Sequence, residues 1–100
     1  MTTISWLEEG RPAILLAHVF VTAQGAEAIE FEVLESEASS LRKRVGTKLF
    51  LTCDGATPFW GEIQYLTSCA PTAPGLARVA DRPVLKGMIK VYSGEPDSLQ

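Results

Sequence analysis

Thr47-Lys48-Leu49-Phe50-Leu51-Thr52-Cys53, followed by Asp54-Gly55-Ala56-Thr57-Pro58 and then by Phe59-Trp60-Gly61-Glu62-Ile63-Gln64-Tyr65-Leu66, is the stretch on which the fold turns. Two runs alternate apolar and polar residues around a segment rich in turn formers, which is the pattern of a β-hairpin. Closing it with Cys53 opposite Phe59 sets Leu51 against Gly61, Leu49 against Ile63 and Thr47 against Tyr65, making one apolar face. The other face then holds Lys48, Phe50, Thr52, Trp60, Glu62 and Gln64, with Phe50 and Trp60 diagonal to one another. Gly61 in mid-strand marks a bend or a close backbone approach.

Upstream, 13–22 is a β-branched and aromatic run of strand length, and 27–34 alternates Ile29, Phe31 and Val33 with Ala28, Glu30 and Glu32. Ala23-Gln24-Gly25 reads as a three-residue loop with Gly25 in the left-handed region. That register pairs Val19 with Ile29 and Ala17 with Phe31 on one face, and His18 with Glu30 on the other. The segment 36–45 reads as a short helix: Ser36 as cap, Arg42 to Arg44 in the last turn, Gly46 as stop, and Leu41 and Val45 docking on a sheet. Downstream, 84–92 is a strand with Leu85, Gly87, Ile89 and Val91 on one face, while 67–83 reads as the longest irregular stretch. Residues 3–7 supply a short first strand turned at Glu9-Gly10. These elements predict a mainly β (β-rich α+β) domain over 1–93: a small antiparallel, partly closed barrel or roll of five to six strands with one short helix, and a flexible tail over 94–100.

Composition narrows the function. One hundred residues support one core, and 46% hydrophobic with 21% charged residues is the balance of a soluble globule. No apolar run spans a bilayer and the N-terminus lacks the layout of a signal peptide, so the expected location is cytoplasmic, with no membrane partner. A formal net charge of −3 argues against general nucleic-acid binding, which needs a basic excess to displace counterions. Five of the nine glutamates fall in 27–37, immediately before Arg42, Lys43 and Arg44. Cys53 and Cys69 match no zinc or CxxC spacing, and the expectation is two free thiols.

The search for chemistry finds little. His18 is the sole histidine, so a Cys-His or Ser-His-Asp arrangement must use it. A small thiol or acid–base enzyme built on His18 and Cys53 is one alternative, against which a structural His–Glu cross-strand pair is the simpler reading. Glu30 and Glu32 read as a solvated strand face, and no phosphate loop, nucleophile elbow or HExxH is present. No cofactor and no metal site is expected. Arg42, Lys43 and Arg44 are the candidates for a nucleic-acid alternative, although three consecutive helical residues spread over nearly three directions.

The informative feature is aromatic. Phe50 and Trp60, among Lys48, Glu62 and Gln64 and with Trp6 as a potential addition, form either a covered part of the core or an exposed platform. Aromatic anchors in a polar surround suit a protein interface, and on an OB-like barrel they stack bases. The cadence Arg44-Val45-Gly46-Thr47 through Asp54-Gly55, then Pro58-Phe59-Trp60-Gly61-Glu62-Ile63, is similar to one in small β-barrels. It resembles barrel domains of phage tail and baseplate-hub proteins and OB- and SH3-type barrels. That resemblance covers about a fifth of the chain. It implies a non-catalytic assembly module and identifies no site residue. Short length, an acidic balance and the lack of a catalytic motif also fit phage or mobile-element accessory proteins. The expected function is therefore protein binding or self-association into a homo-oligomer through Phe50, Trp60, Lys48, Glu62 and Gln64. A barrel that binds single-stranded nucleic acid is the first alternative.

Overall fold

The computed structural model describes residues 1–70 and 83–92. Six strands, β1 (Thr2–Trp6), β2 (Ile14–Gln24), β3 (Ala28–Leu34), β4 (Lys48–Cys53), β5 (Phe59–Cys69) and β6 (Val84–Tyr92), form one closed barrel in the order β1-β2-β3-β6-β5-β4. All the pairings are antiparallel, and β1 pairs with both β2 and β4 to close the ring. Closure leaves each strand an inner and an outer face. Ile4, Val19, Ile29, Phe31, Val33, Leu49, Leu51, Ile63, Leu85 and Ile89 fill the inside. No helix among the described residues is long and apolar enough to cross a membrane.

The β4–β5 hairpin keeps the two faces expected of it, in a register two residues away. Leu51 faces Phe59, Leu49 faces Gly61, and Phe50 faces Trp60 directly rather than diagonally. A shift by two preserves the side on which each residue lies. Asp54 and Gly55 have φ of 53° and 74°, and the Ala56 N–H donates to the Cys53 carbonyl at 2.9 Å. Positive φ at both central residues is what a primed turn requires. This turn also anchors the closing strand. The Asp54 N–H donates to the Thr3 carbonyl, and the Asp54 carboxylate accepts from the Thr3 N–H, each at 2.8 Å.

Elsewhere, bulges move residues off their expected places. The β2–β3 register sets Val21 against Phe31 and Phe20 against Glu32, four residues from the expected pairing, with a bulge between Val21 and Ala23. The even displacement leaves Val19, Ile29, Phe31 and Val33 inward. The connection runs from Gly25 to Glu27. There the Gly25 N–H bonds the Ala28 carbonyl, and Gly25 does not adopt the positive φ expected of it. A second bulge, opposite Ile4/Ser5, buries the neighbours Leu16 and Ala17 and leaves Leu15 half exposed. A third, between Ile63 and Tyr65, carries β5 past Leu66 to Cys69. It turns Leu66 toward the core and Tyr65 to the outside, reversing the inward placement expected for Tyr65. The expected irregular stretch 67–83 thus begins as strand; 71–82 and the tail 94–100 lie outside the described residues.

The expected helix over 37–45 is much shorter. A 3-10 turn at Glu35–Glu37 leads into α1 (Ser39–Arg42), and neither is capped by a side chain, Ser36 included. Ala38 and Leu41 are fully buried in the core cluster, closing the end of the barrel where β3 stops and β4 starts. Val45 does not dock and is exposed; Gly46, at φ 86°, reverses the chain before Thr47. Val21, Ile29, Cys53, Phe59 and Val91 line the opposite mouth.

Two glycines permit this core. A Cβ on Gly87 would stand 2.5 Å from the Phe31 ring, and one on Gly61 would meet Ile89 and Phe59 at 2.9 Å. Phe31 is completely buried and has no room to retreat. Gly87→Ala is expected to lower stability by about 1–3 kcal/mol in urea denaturation, as overpacking does. Gly25→Ala, whose Cβ would come no nearer than 3.9 Å to its neighbour, the Ala28 carbonyl, is expected to be close to neutral.

Candidate functional site

The outer wall over β4, β5 and β6 carries one continuous band of rings and charges. The cross-strand pairs Phe50–Trp60 and Trp60–Tyr92 make one row, and Lys48–Glu62 and Glu62–Lys90 make the next. The Phe50 and Trp60 ring centroids are 5.1 Å apart with planes tilted by 39°, a favoured aromatic geometry. Tyr92 donates its hydroxyl to Glu62 Oε1 at 2.7 Å. The Lys48 Nζ stands 4.7 Å and the Lys90 Nζ 5.1 Å from the Tyr92 ring centroid, and Lys48 is 6.0 Å from that of Trp60. Those distances are within reach of cation–π attraction.

Beside the band, residues 7–11 form the turn between β1 and β2. The Leu7 N–H donates to the Phe50 carbonyl at 2.8 Å, and the Arg11 N–H to the Glu8 carbonyl at 3.1 Å, with Gly10 at φ 77°. The turn and the two rings enclose an open cleft of about 460 Å³ lined by Leu7, Glu8, Glu9, Arg11, Phe50 and Trp60. Arg11 pairs with Glu8 at 3.8 Å on its rim.

Of the residues expected to form an interface, Lys48, Phe50, Trp60 and Glu62 come together here. Phe50 and Trp60 are neither bare nor sealed; both are of intermediate exposure. Gln64 stands at the β5 bulge, beyond the paired rows. Trp6 does not join the platform. It packs against the core cluster, with the Arg44 guanidinium 4.8 Å above its ring. Tyr92 and Lys90 join the site without a local sequence signal; β6 is placed beside β5 across a long connection whose register no turn motif specifies. Arg42, Lys43 and Arg44 diverge: Arg42 pairs with Glu35 at 3.4 Å, Arg44 stacks on Trp6, and Lys43 is exposed.

The groups considered for catalysis are also separated. His18 pairs with Thr3 on the outer wall, while Cys53 pairs with the buried Ile4 and packs on the core. His18 Nδ1 lies 3.4 Å from Glu37, not beside Glu30, because the β2–β3 register ends before it. Glu32 is not on a solvated face but only 3% exposed. Among the described residues, no group of three or more His, Cys, Asp or Glu is arranged to hold a metal. Both thiols are free. Burial, aided by Asp54, pushes the Cys53 thiol up; Cys69 is also raised, by burial and then Glu32, against the opposing pull of Lys86. A raised thiol pKa leaves less thiolate at a given pH.

This geometry makes two outcomes measurable. In a Cys69→Ser background, Cys53 is expected to react with an aromatic disulfide reagent at pH 8 more slowly in the native than in the unfolded chain. Equal rates would contradict its burial. Tyr92→Phe, which deletes the hydrogen bond to Glu62, is expected to cost about 0.5–1.5 kcal/mol in urea denaturation. No family model, curated protein or solved structure matches this chain.

Proposed function

We propose that the chain is a non-catalytic protein-binding or assembly module whose contact surface is the outer band of Phe50, Trp60 and Tyr92 with Lys48, Glu62 and Lys90. The supporting observation is the Phe50–Trp60 pair: two large rings 5.1 Å apart, half-exposed on a rigid wall, opening onto a cleft. A barrel with a filled core does not need these rings on its outside, and aromatic anchors ringed by polar groups characterise the centres of protein interfaces. The partner is another protein or a second copy of this chain, in keeping with an accessory or structural role such as that of small phage or mobile-element proteins.

A second reading has one observation in its favour. Lysines beside a row of aromatic rings also suit the stacking of single-stranded bases. Glu62 in the middle of the band and Glu8 and Glu9 at its margin oppose an anionic strand.

Trp60→Ala, Phe50→Ala and Lys48→Glu test the primary reading. Light scattering on a sizing column and recovery of the bound partner should both show association weakened by about ten- to thirtyfold for the ring truncations, with the thermal midpoint lowered by about 5–10 °C as the paired rings are lost while the chain stays folded. If mass and partner recovery are unaltered in all three, the band is not the contact surface. A labelled oligonucleotide that binds at low salt and dissociates as salt rises would select the second reading instead.

A further inference from the structure

The chemistry of the cleft beside Trp60 indicates what it takes. Its floor is the Phe50–Trp60 pair, and its rim is the turn carrying Glu8 and Glu9. Arg11 is engaged with Glu8 at 3.8 Å, and Glu9 makes no ion pair among the described residues, so the rim holds one carboxylate more than it balances. The backbone bond from Leu7 to Phe50 keeps this turn beside the rings. Elsewhere this barrel seats cations on its rings: Arg44 over Trp6, and Lys48 and Lys90 over Tyr92. Trp60 has Lys48 only at the limit of such contact, since that ammonium sits closer to Tyr92.

We propose that the cleft accepts the side chain of an arginine or lysine from a basic segment of the partner protein. The cation lies against the Trp60 and Phe50 rings and its charge is met by Glu9, with Glu8 shared between it and Arg11. The proposal deepens the protein-binding reading and rests on it. Aromatic faces and carboxylates together recognise a cation through ring attraction and charge pairing. An acidic segment meets repulsion in the same place, and an uncharged one forgoes the charge pairing.

The test uses four short peptides of the form Gly-Ser-X-Ser-Gly, with X arginine, lysine, leucine or glutamate, titrated into the isotopically labelled chain up to about 10 mM. The arginine and lysine peptides are expected to move the Trp60 indole signal and the amides of residues 7–11, the leucine and glutamate peptides not. The Glu8→Gln/Glu9→Gln double variant is expected to weaken the arginine peptide by about three- to tenfold while the remaining amide signals stay in place, in line with exposed charge pairs. The proposal is overturned if the leucine peptide binds as well as the arginine peptide, if the double variant binds unchanged, or if the arginine peptide moves no signal. A thymidine oligonucleotide that moves these signals would also overturn it, in favour of an anionic strand. Should the arginine peptide fail while Trp60→Ala still disrupts assembly, the docking band stands and only its cationic occupant is lost.

Discussion

Ring closure between β1 and β4 is the constraint on which the architecture depends. Once Ile4 is set against Cys53 and Trp6 against Leu51, no strand can change its face without breaking a neighbour's. The interior is then finite, and its largest fully buried side chain, Phe31, fits because Gly87 across the ladder has no Cβ. Side chains with no place inside are committed to the outer wall, including Phe50 and Trp60. The aromatic band is therefore a consequence of alternation on a closed sheet, to which the turn at residues 7–11 adds the rim of the cleft.

The hairpin at Asp54-Gly55 shows how far alternation alone carries. Leu49 and Leu51 inward, with Phe50 and Trp60 outward, could be read from residues 47–66 because a period of two survives a register error of two. His18 shows where it fails. Its partner depends on the absolute register of β2 and β3, which the bulge at 21–23 and a turn displaced two residues along the chain reset, so Glu37 rather than Glu30 is its neighbour. Tyr65 fails for the same reason on β5, since the bulge at Gln64 reverses the faces of the residues beyond it. Bulges add one residue without a compositional mark, which leaves them invisible to a pattern count.

The site divides along the same line. Lys48, Phe50, Trp60 and Glu62 belong to one hairpin, so local pattern suffices to group them. Tyr92 and Lys90 reach the site through a non-local pairing, and residues 7–11 through closure of the ring. The short helix was legible as a capped helix of greater length. What this segment does is bury Ala38, at the junction of the 3-10 turn and α1, and Leu41, within α1, in one end of the barrel, and that needs no longer helix.

The seam that completes the cylinder also carries the acidic lip of the cleft. Leu7, next to β1, is bonded to the backbone of Phe50, and Thr3 to the turn at Asp54. Anything gripped between Glu9 and Trp60 therefore bridges both sides of the seam and acts as a clasp across it. Occupancy would be expected to slow exchange of the β1 amides with solvent, so that docking outside the barrel tightens the short ladder that shuts it.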